Sequence, residues 1–128
     1  MNHTGRLGLG GNRLEGTIPT ELGNLHRLWE LWLYPNRLTG TIPTEIGKLS
    51  NLENLALMEN KLQGSFPSQI GSLFKLKWIF LSDNMLEGSI PEEIYSCTQL
   101  ETLYMGINQF TGTISPKIRQ LQQLKECK

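Results

Sequence analysis

Asparagine returns every 24 residues, at Asn12, Asn36, Asn60, Asn84 and Asn108. Seven apolar columns, a glycine column and most of a proline column keep the same step. A fixed period of that length excludes a globule with one central core. The chain must fold as a solenoid, a stack of near-identical coils that hide their apolar side chains against each other.

Leu28 to Leu52 serves as the reference coil. Leu31 and Leu33 flank Trp32, the period-2 alternation of a strand with one buried face. The same short strand returns at Leu55/Leu57, Ile79/Leu81 and Leu103/Met105, with Leu7/Leu9 as a glycine-rich first copy. Coils that return to one starting direction make these strands parallel. At ~4.8 Å between neighbours, five of them form a sheet roughly 20–25 Å long. After the strand the backbone leaves the ladder while still buried, and each unpaired polar group there would cost about 1–3 kcal/mol. An asparagine amide donates and accepts, so the five asparagines read as a structural ladder from coil to coil.

Gly40, with Gly16, Gly64, Gly88 and Gly112, supplies a backbone shape or close approach that a side chain would block. Ile42-Pro43 and its partners Ile18-Pro19, Phe66-Pro67 and Ile90-Pro91 predict a second extended stretch on another side of the coil. The fifth repeat departs with Ile114-Ser115-Pro116. Proline at a first helical position, Glu45 two residues on, and Gly47 as terminator predict one short 3₁₀ turn on the convex side. Tyr95 and Arg119 replace that glycine in the last two repeats, which predicts a different ending there.

Twelve basic and twelve acidic residues cancel. That balance argues against a nucleic-acid partner and offers no polybasic patch for direct membrane contact. No apolar run approaches the ~20 residues of a membrane span, and Met1 to Gly11 contains no stretch of signal-peptide type. Cys97 and Cys127 both stand in leucine columns and read as small buried hydrophobes, with a disulfide between them unsupported. Two thiols with His3 and His26 make no recognisable metal site, and neither histidine has a partner at a catalytic spacing. No cofactor is implied, and the enzyme reading is poor: the glycines are periodic rather than gathered in a phosphate loop.

The stretch LWELWLYPNRLTGTIPTEIGKL carries an L-x-x-L-x-L-x-x-N-x-L core and an L-x-G-x-I-P extension. It resembles the leucine-rich repeat family in its 24-residue plant-type subclass, over about Arg6 to Cys127. The resemblance implies an α/β right-handed solenoid with a parallel concave β-sheet and short 3₁₀ turns on the convex side. Residues 1–128 read as one such domain of about five repeats without the cysteine-paired caps usual in secreted relatives. A fragment of a longer ectodomain is preferred to a short product that associates end to end. The sequon Asn2-His3-Thr4 fits a secreted parent.

Residues flanking the buried strand leucines face the hollow side. Gly8, Trp32, Ala56, Phe80 and Tyr104 form the central row. Arg6, Glu30, Asn54, Trp78 and Thr102 lie to one side; Gly10, Tyr34, Met58, Ser82 and Gly106 lie to the other. Beyond them run Gly11, Pro35, Glu59, Asp83 and Ile107. These side chains are expected outside the core, because their chain neighbours fill it. Five of the ten aromatics fall here: Trp32, Tyr34, Trp78, Phe80 and Tyr104. An exposed aromatic patch usually marks an interaction site, although rings on adjacent strands also stack for sheet stability. Trp32, Phe80 and Tyr104 are the expected centre. Glu30, Glu59 and Asp83 add acidity that could select a basic group, while most surface carboxylates are merely solvated. Trp29, at the strand edge, suits covering a neighbouring repeat as well as binding.

The expected function is protein or peptide recognition through this face, as part of a receptor-like signalling ectodomain at the cell surface. A secreted inhibitor of a cell-wall hydrolase and an intracellular scaffold are the alternatives. The absent leader leaves an intracellular location open.

Overall fold

A computed structural model of the chain describes residues 5–128. The sequon at Asn2 and the residue His3 lie outside the described residues. Among the described residues eleven short strands occur: β1 (Arg6–Gly8), β2 (Glu15–Thr17), β3 (Glu30–Trp32), β4 (Arg37–Thr39), β5 (Asn54–Ala56), β6 (Gln63–Ser65), β7 (Trp78–Phe80), β8 (Met85–Ser89), β9 (Thr102–Tyr104), β10 (Gln109–Thr111) and β11 (Glu126–Cys127). The odd-numbered strands form one parallel sheet in the order β1-β3-β5-β7-β9-β11. Each residue pairs with its equivalent one repeat on, as Leu31 with Leu55 and Leu55 with Ile79. The sheet therefore has six strands rather than five, because Glu126 and Cys127 pair with Thr102 and Leu103.

Between sheet and turns the core is a column of stacked side chains. Leu31, Leu55 and Ile79 are fully buried, as are Leu49, Leu73 and Cys97 in their own column. The end coils depart from this pattern. Leu25 is 45% exposed and Leu9 38%, and Cys127 is exposed although Leu31, Leu55, Ile79 and Leu103 in its column are buried. Among the described residues these positions have a coil on one side only. The expectation of two buried cysteines thus holds for Cys97 alone, and both thiols are free.

The asparagines stitch the coils. Asn60 is buried. Its Nδ2 donates to the Leu33 and Leu57 carbonyls at 3.1 Å, and its Oδ1 accepts from the Leu38 amide at 3.0 Å. Asn36, Asn84 and Asn108 repeat both links to the preceding coil. Asn12 is exposed and bonds only to the Leu9 and Gly10 carbonyls of its own coil.

The second extended stretch comes earlier than expected. It begins one to three residues after the asparagine, as β2, β4, β6, β8 and β10, and ends within one residue of the glycine column instead of centring on Ile-Pro. Gly40 has φ +76, a left-handed shape that turns the chain out of this strand. The 3₁₀ turns span Thr20–Asn24, Thr44–Lys48, Ser68–Ser72, Glu92–Ser96 and Pro116–Gln120. Pro19, Pro43, Pro67 and Pro91 stand just before them, in the cap position, with ψ of 137–143. Only Pro116 occupies a first helical position; there Ser115 is the cap and accepts from the Lys117 amide at 3.1 Å. Proline's fixed φ suits either place, and the extended ψ decides it.

Gly47 lies inside its turn and does not terminate it. A Cβ there would stand 2.7 Å from the Gln69 Cβ and 2.8 Å from the Gln69 carbonyl oxygen, so the glycine permits close stacking of convex turns. For this reason the Tyr95 and Arg119 turns end like the others, with caps at φ −82, ψ 70 and φ −88, ψ 69. The Tyr95 ring is buried instead, and its hydroxyl oxygen accepts from the Ser115 amide at 3.2 Å.

Two tests follow from this packing. Asn60→Ala strands the Leu38 amide in the core and takes one of two donors from the Leu33 and Leu57 carbonyls, which keep Asn36 and Asn84, so it should lower stability by about 2 kcal/mol, whereas Asn12→Ala should change it by less than about 1 kcal/mol; urea unfolding of both variants measures the contrast. Burial pushes the Cys97 thiol up to about 11, so thiol titration at pH 8 should modify Cys127 promptly and Cys97 only on unfolding. Prompt reaction of both would contradict the buried column.

Candidate functional site

The 24-residue step fixes what reaches the hollow face. In β1, β3, β5, β7 and β9 the middle leucine or isoleucine points inward, so the residues beside it point out. The aromatics fall into two groups. Trp32 and Tyr34 lie at the first, with ring centroids 6.1 Å apart. Trp78, Phe80 and Tyr104 form the second, with Trp78–Phe80 at 6.4 Å and Phe80–Tyr104 at 5.2 Å. All the pairs are tilted, the offset arrangement that aromatic quadrupoles prefer. Ala56 separates the groups on the central row and is fully buried. Trp78 is 38% exposed; Trp32, Tyr34, Met58, Phe80 and Tyr104 are half-buried. The Trp32 indole N–H is enclosed without an acceptor among the described residues.

The expectation that every hollow-side residue stands clear of the core is overturned at three places. Glu30 and Asn54 are 7% exposed and Ala56 is 0% exposed. Burial here comes from the adjacent strands, about 4.8 Å away, which close over a short side chain. The Glu30 carboxylate accepts from Arg6 Nε at 2.7 Å and from Asn54 Nδ2 at 3.3 Å. It is thereby occupied by its own chain, unlike Glu59 and Asp83, which are exposed and make no ion pair among the described residues. Asn54 was not singled out from the sequence. Its signal was the succession Arg6, Glu30, Asn54 in one column, a set of polar partners one strand apart.

At the far end, the Tyr104 hydroxyl donates to the Glu126 carboxylate. That hydrogen bond, ahead of burial and the carboxylate's charge, holds the phenol above its ordinary value. Lys128 Nζ lies 5.4 Å from the Tyr104 ring centroid and 4.0 Å from the Glu126 carboxylate. Glu126 and Lys128, too, are additions that only the sixth strand brings to this face.

Glu59, Asp83 and Ile107 share an unusual backbone, with φ of 55, 60 and 54. An extended residue following Met58 or Ser82 would point into the core; the left-handed bend turns it outward. Ile107 is 75% exposed in this shape. Trp29 covers its neighbour: a Cβ on Gly5 would stand 2.4 Å from its ring, and the Arg6 guanidinium lies 5.4 Å from its centroid. His26 is exposed. Among the described residues no three of His, Cys, Asp and Glu gather closely enough to hold a metal ion, and no helix is long and apolar enough to cross a membrane.

A leucine-rich repeat family model matches residues 50–110, and a second leucine-rich repeat model matches 5–25 and 27–49. No curated protein sequence matches the chain. Among solved structures, the ectodomain of the Arabidopsis thaliana membrane receptor kinase GASSHO1/SCHENGEN3, in complex with Casparian strip integrity factor 2, is 38% identical with a TM-score of 0.93. The plant peptide hormone receptor RGFR1, in complex with RGF2, is 39% identical with a TM-score of 0.94. The Arabidopsis receptor kinase HAESA, in complex with the peptide hormone IDA and the co-receptor SERK1, is 36% identical with a TM-score of 0.92. Each alignment covers 94% of this chain but only 14%, 19% and 20% of the respective receptor chains. Repeat spacing, stacked parallel strands, convex 3₁₀ turns and these matches agree: the chain belongs to the leucine-rich repeat family, in its plant-type form.

Proposed function

We propose that this chain is a non-catalytic recognition module that binds a protein or peptide on its hollow face, as part of a receptor-like protein at the cell surface. The observation that carries the reading is the ring cluster of Trp78, Phe80 and Tyr104, with centroids 5.2–6.4 Å apart on an open sheet face. Rings that served only the sheet would be covered by their own chain, yet Trp78 leaves 38% of its surface in water. Large apolar area with two rotatable angles per ring is what interface anchors provide at low entropic cost. The peptide-bound receptors of similar structure support the same reading and favour a cell-surface setting.

The test is panning of a random peptide library on the immobilised chain, followed by titration of the selected peptide. Phe80→Ala should weaken binding by about 2 kcal/mol, roughly thirtyfold, with the circular dichroism spectrum unchanged. Phe74→Ala removes an equally large ring that is 64% exposed outside the hollow face and should leave affinity unaltered. Loss of binding in Phe74→Ala with none in Phe80→Ala would overturn the proposal.

A further inference from the structure

The acids of the hollow side divide into two kinds. Glu30 and Glu126 are spent on cations of their own chain, Arg6 at 2.7 Å and Lys128 at 4.0 Å. Glu59 and Asp83 are exposed on adjacent coils and make no ion pair among the described residues. Lys61, two residues past Glu59, makes none with either. These two carboxylates occupy the rim row on adjacent coils, Asp83 on the coil that carries Trp78 and Phe80 and Glu59 on the one before it. Asp83 follows Phe80 by three residues on the same coil, at most about 10 Å of chain.

The protein already shows how a cation sits on this surface. Lys128 Nζ lies between the Tyr104 ring, 5.4 Å to its centroid, and the Glu126 carboxylate at 4.0 Å. A ring face attracts an ammonium group through its quadrupole, and a carboxylate alongside supplies the charge. Phe80 with Asp83 and Glu59 offers the same two components, without a lysine of the chain to fill them.

Resting on the recognition role proposed above, we infer that the ligand of this face is an extended basic peptide. One aromatic or aliphatic side chain of the peptide packs on Phe80 and Trp78. A lysine or arginine two or three residues away reaches Glu59 and Asp83. The rings supply contact area; the acids choose the sign of the partner and its direction across the sheet.

The probes are four fluorescein-labelled octapeptides of otherwise glycine and serine. They carry phenylalanine with lysine, phenylalanine with glutamate, phenylalanine with norleucine, or lysine alone. Anisotropy titrations against the purified chain at ~50 mM salt should rank the first peptide roughly tenfold tighter than the second. The advantage should shrink at ~500 mM salt, where exposed charges are screened. In the double variant Glu59→Gln, Asp83→Asn the lysine preference should vanish while the norleucine peptide binds as before. Phe80→Ala should weaken the lysine and norleucine peptides alike. Equal binding of the lysine and glutamate peptides, or a preference that survives the double variant, overturns this inference and leaves the recognition role standing. If no peptide carrying phenylalanine binds, and Phe80→Ala changes nothing, both fall.

Discussion

The buried asparagine amide is the interaction on which the other features depend. A 24-residue coil cannot hide its own leucines, and it cannot pair the backbone groups that leave the ladder after the strand. Asn60 meets the second need through one side chain, because its carboxamide reaches Leu33 on the preceding coil and Leu57 on its own while accepting from Leu38. Stacked leucines then exclude water from these bonds, and in that surrounding a lost partner costs most. The two effects reinforce each other: the amide sets coil against coil, and the leucines make that setting expensive to disturb. At Asn12, which has no preceding coil among the described residues, the same residue type is exposed and bonds only within its coil.

A repeat that fixes the interior leaves the hollow face free to vary, but not free of packing. Strands about 4.8 Å apart bring each outward residue against its equivalents one repeat away. Rings in that setting tilt onto each other, as Phe80 does with Tyr104. Short residues between larger ones disappear beneath them, as Ala56 does between Trp32 and Phe80 on the central row. Charges find partners one strand over, as Arg6 does with Glu30. Another column repeats the principle outside the hollow: Glu53 meets Lys77 at 3.3 Å and Glu101 meets Lys125 at 3.5 Å. Alternating sign along a column suits a stack in which each residue meets its equivalents one repeat away on either side.

The period made most of this legible from the residues. Strand direction, the inward columns and the convex turns follow from counting in steps of 24. What escaped counting was interaction between columns of different repeats. Gly47 reads as a helix terminator by local rules, yet its role is set by the Gln69 backbone of the next coil. Glu30 reads as a free surface acid, yet Arg6 and Asn54 enclose it. Cys127 reads as a core residue by its column, yet the column is only half built around it. In each case the deciding neighbour lies one repeat away, so a column must be read along its length as well as compared across repeats.

The outer rim shows what the stable interior permits. Left-handed backbone suits glycine, and Gly11 takes it with φ +72 in the first coil. Three later coils place Glu59, Asp83 and Ile107 in the same shape, at a cost on the order of 1 kcal/mol or more each. Ile107 is the costliest kind, since its branched Cβ crowds the backbone on that side. Nothing in the fold requires those side chains: the coil turns there with glycine, and all three are exposed. A solenoid whose stability comes from repeated interior contacts can carry such strain locally, because each coil depends chiefly on its two neighbours. On the recognition reading proposed above, the rim residues are explained by what they meet from solvent. Two carboxylates and one apolar side chain, lifted outward beside the ring cluster, have the composition expected of a border around a bound basic, partly apolar chain.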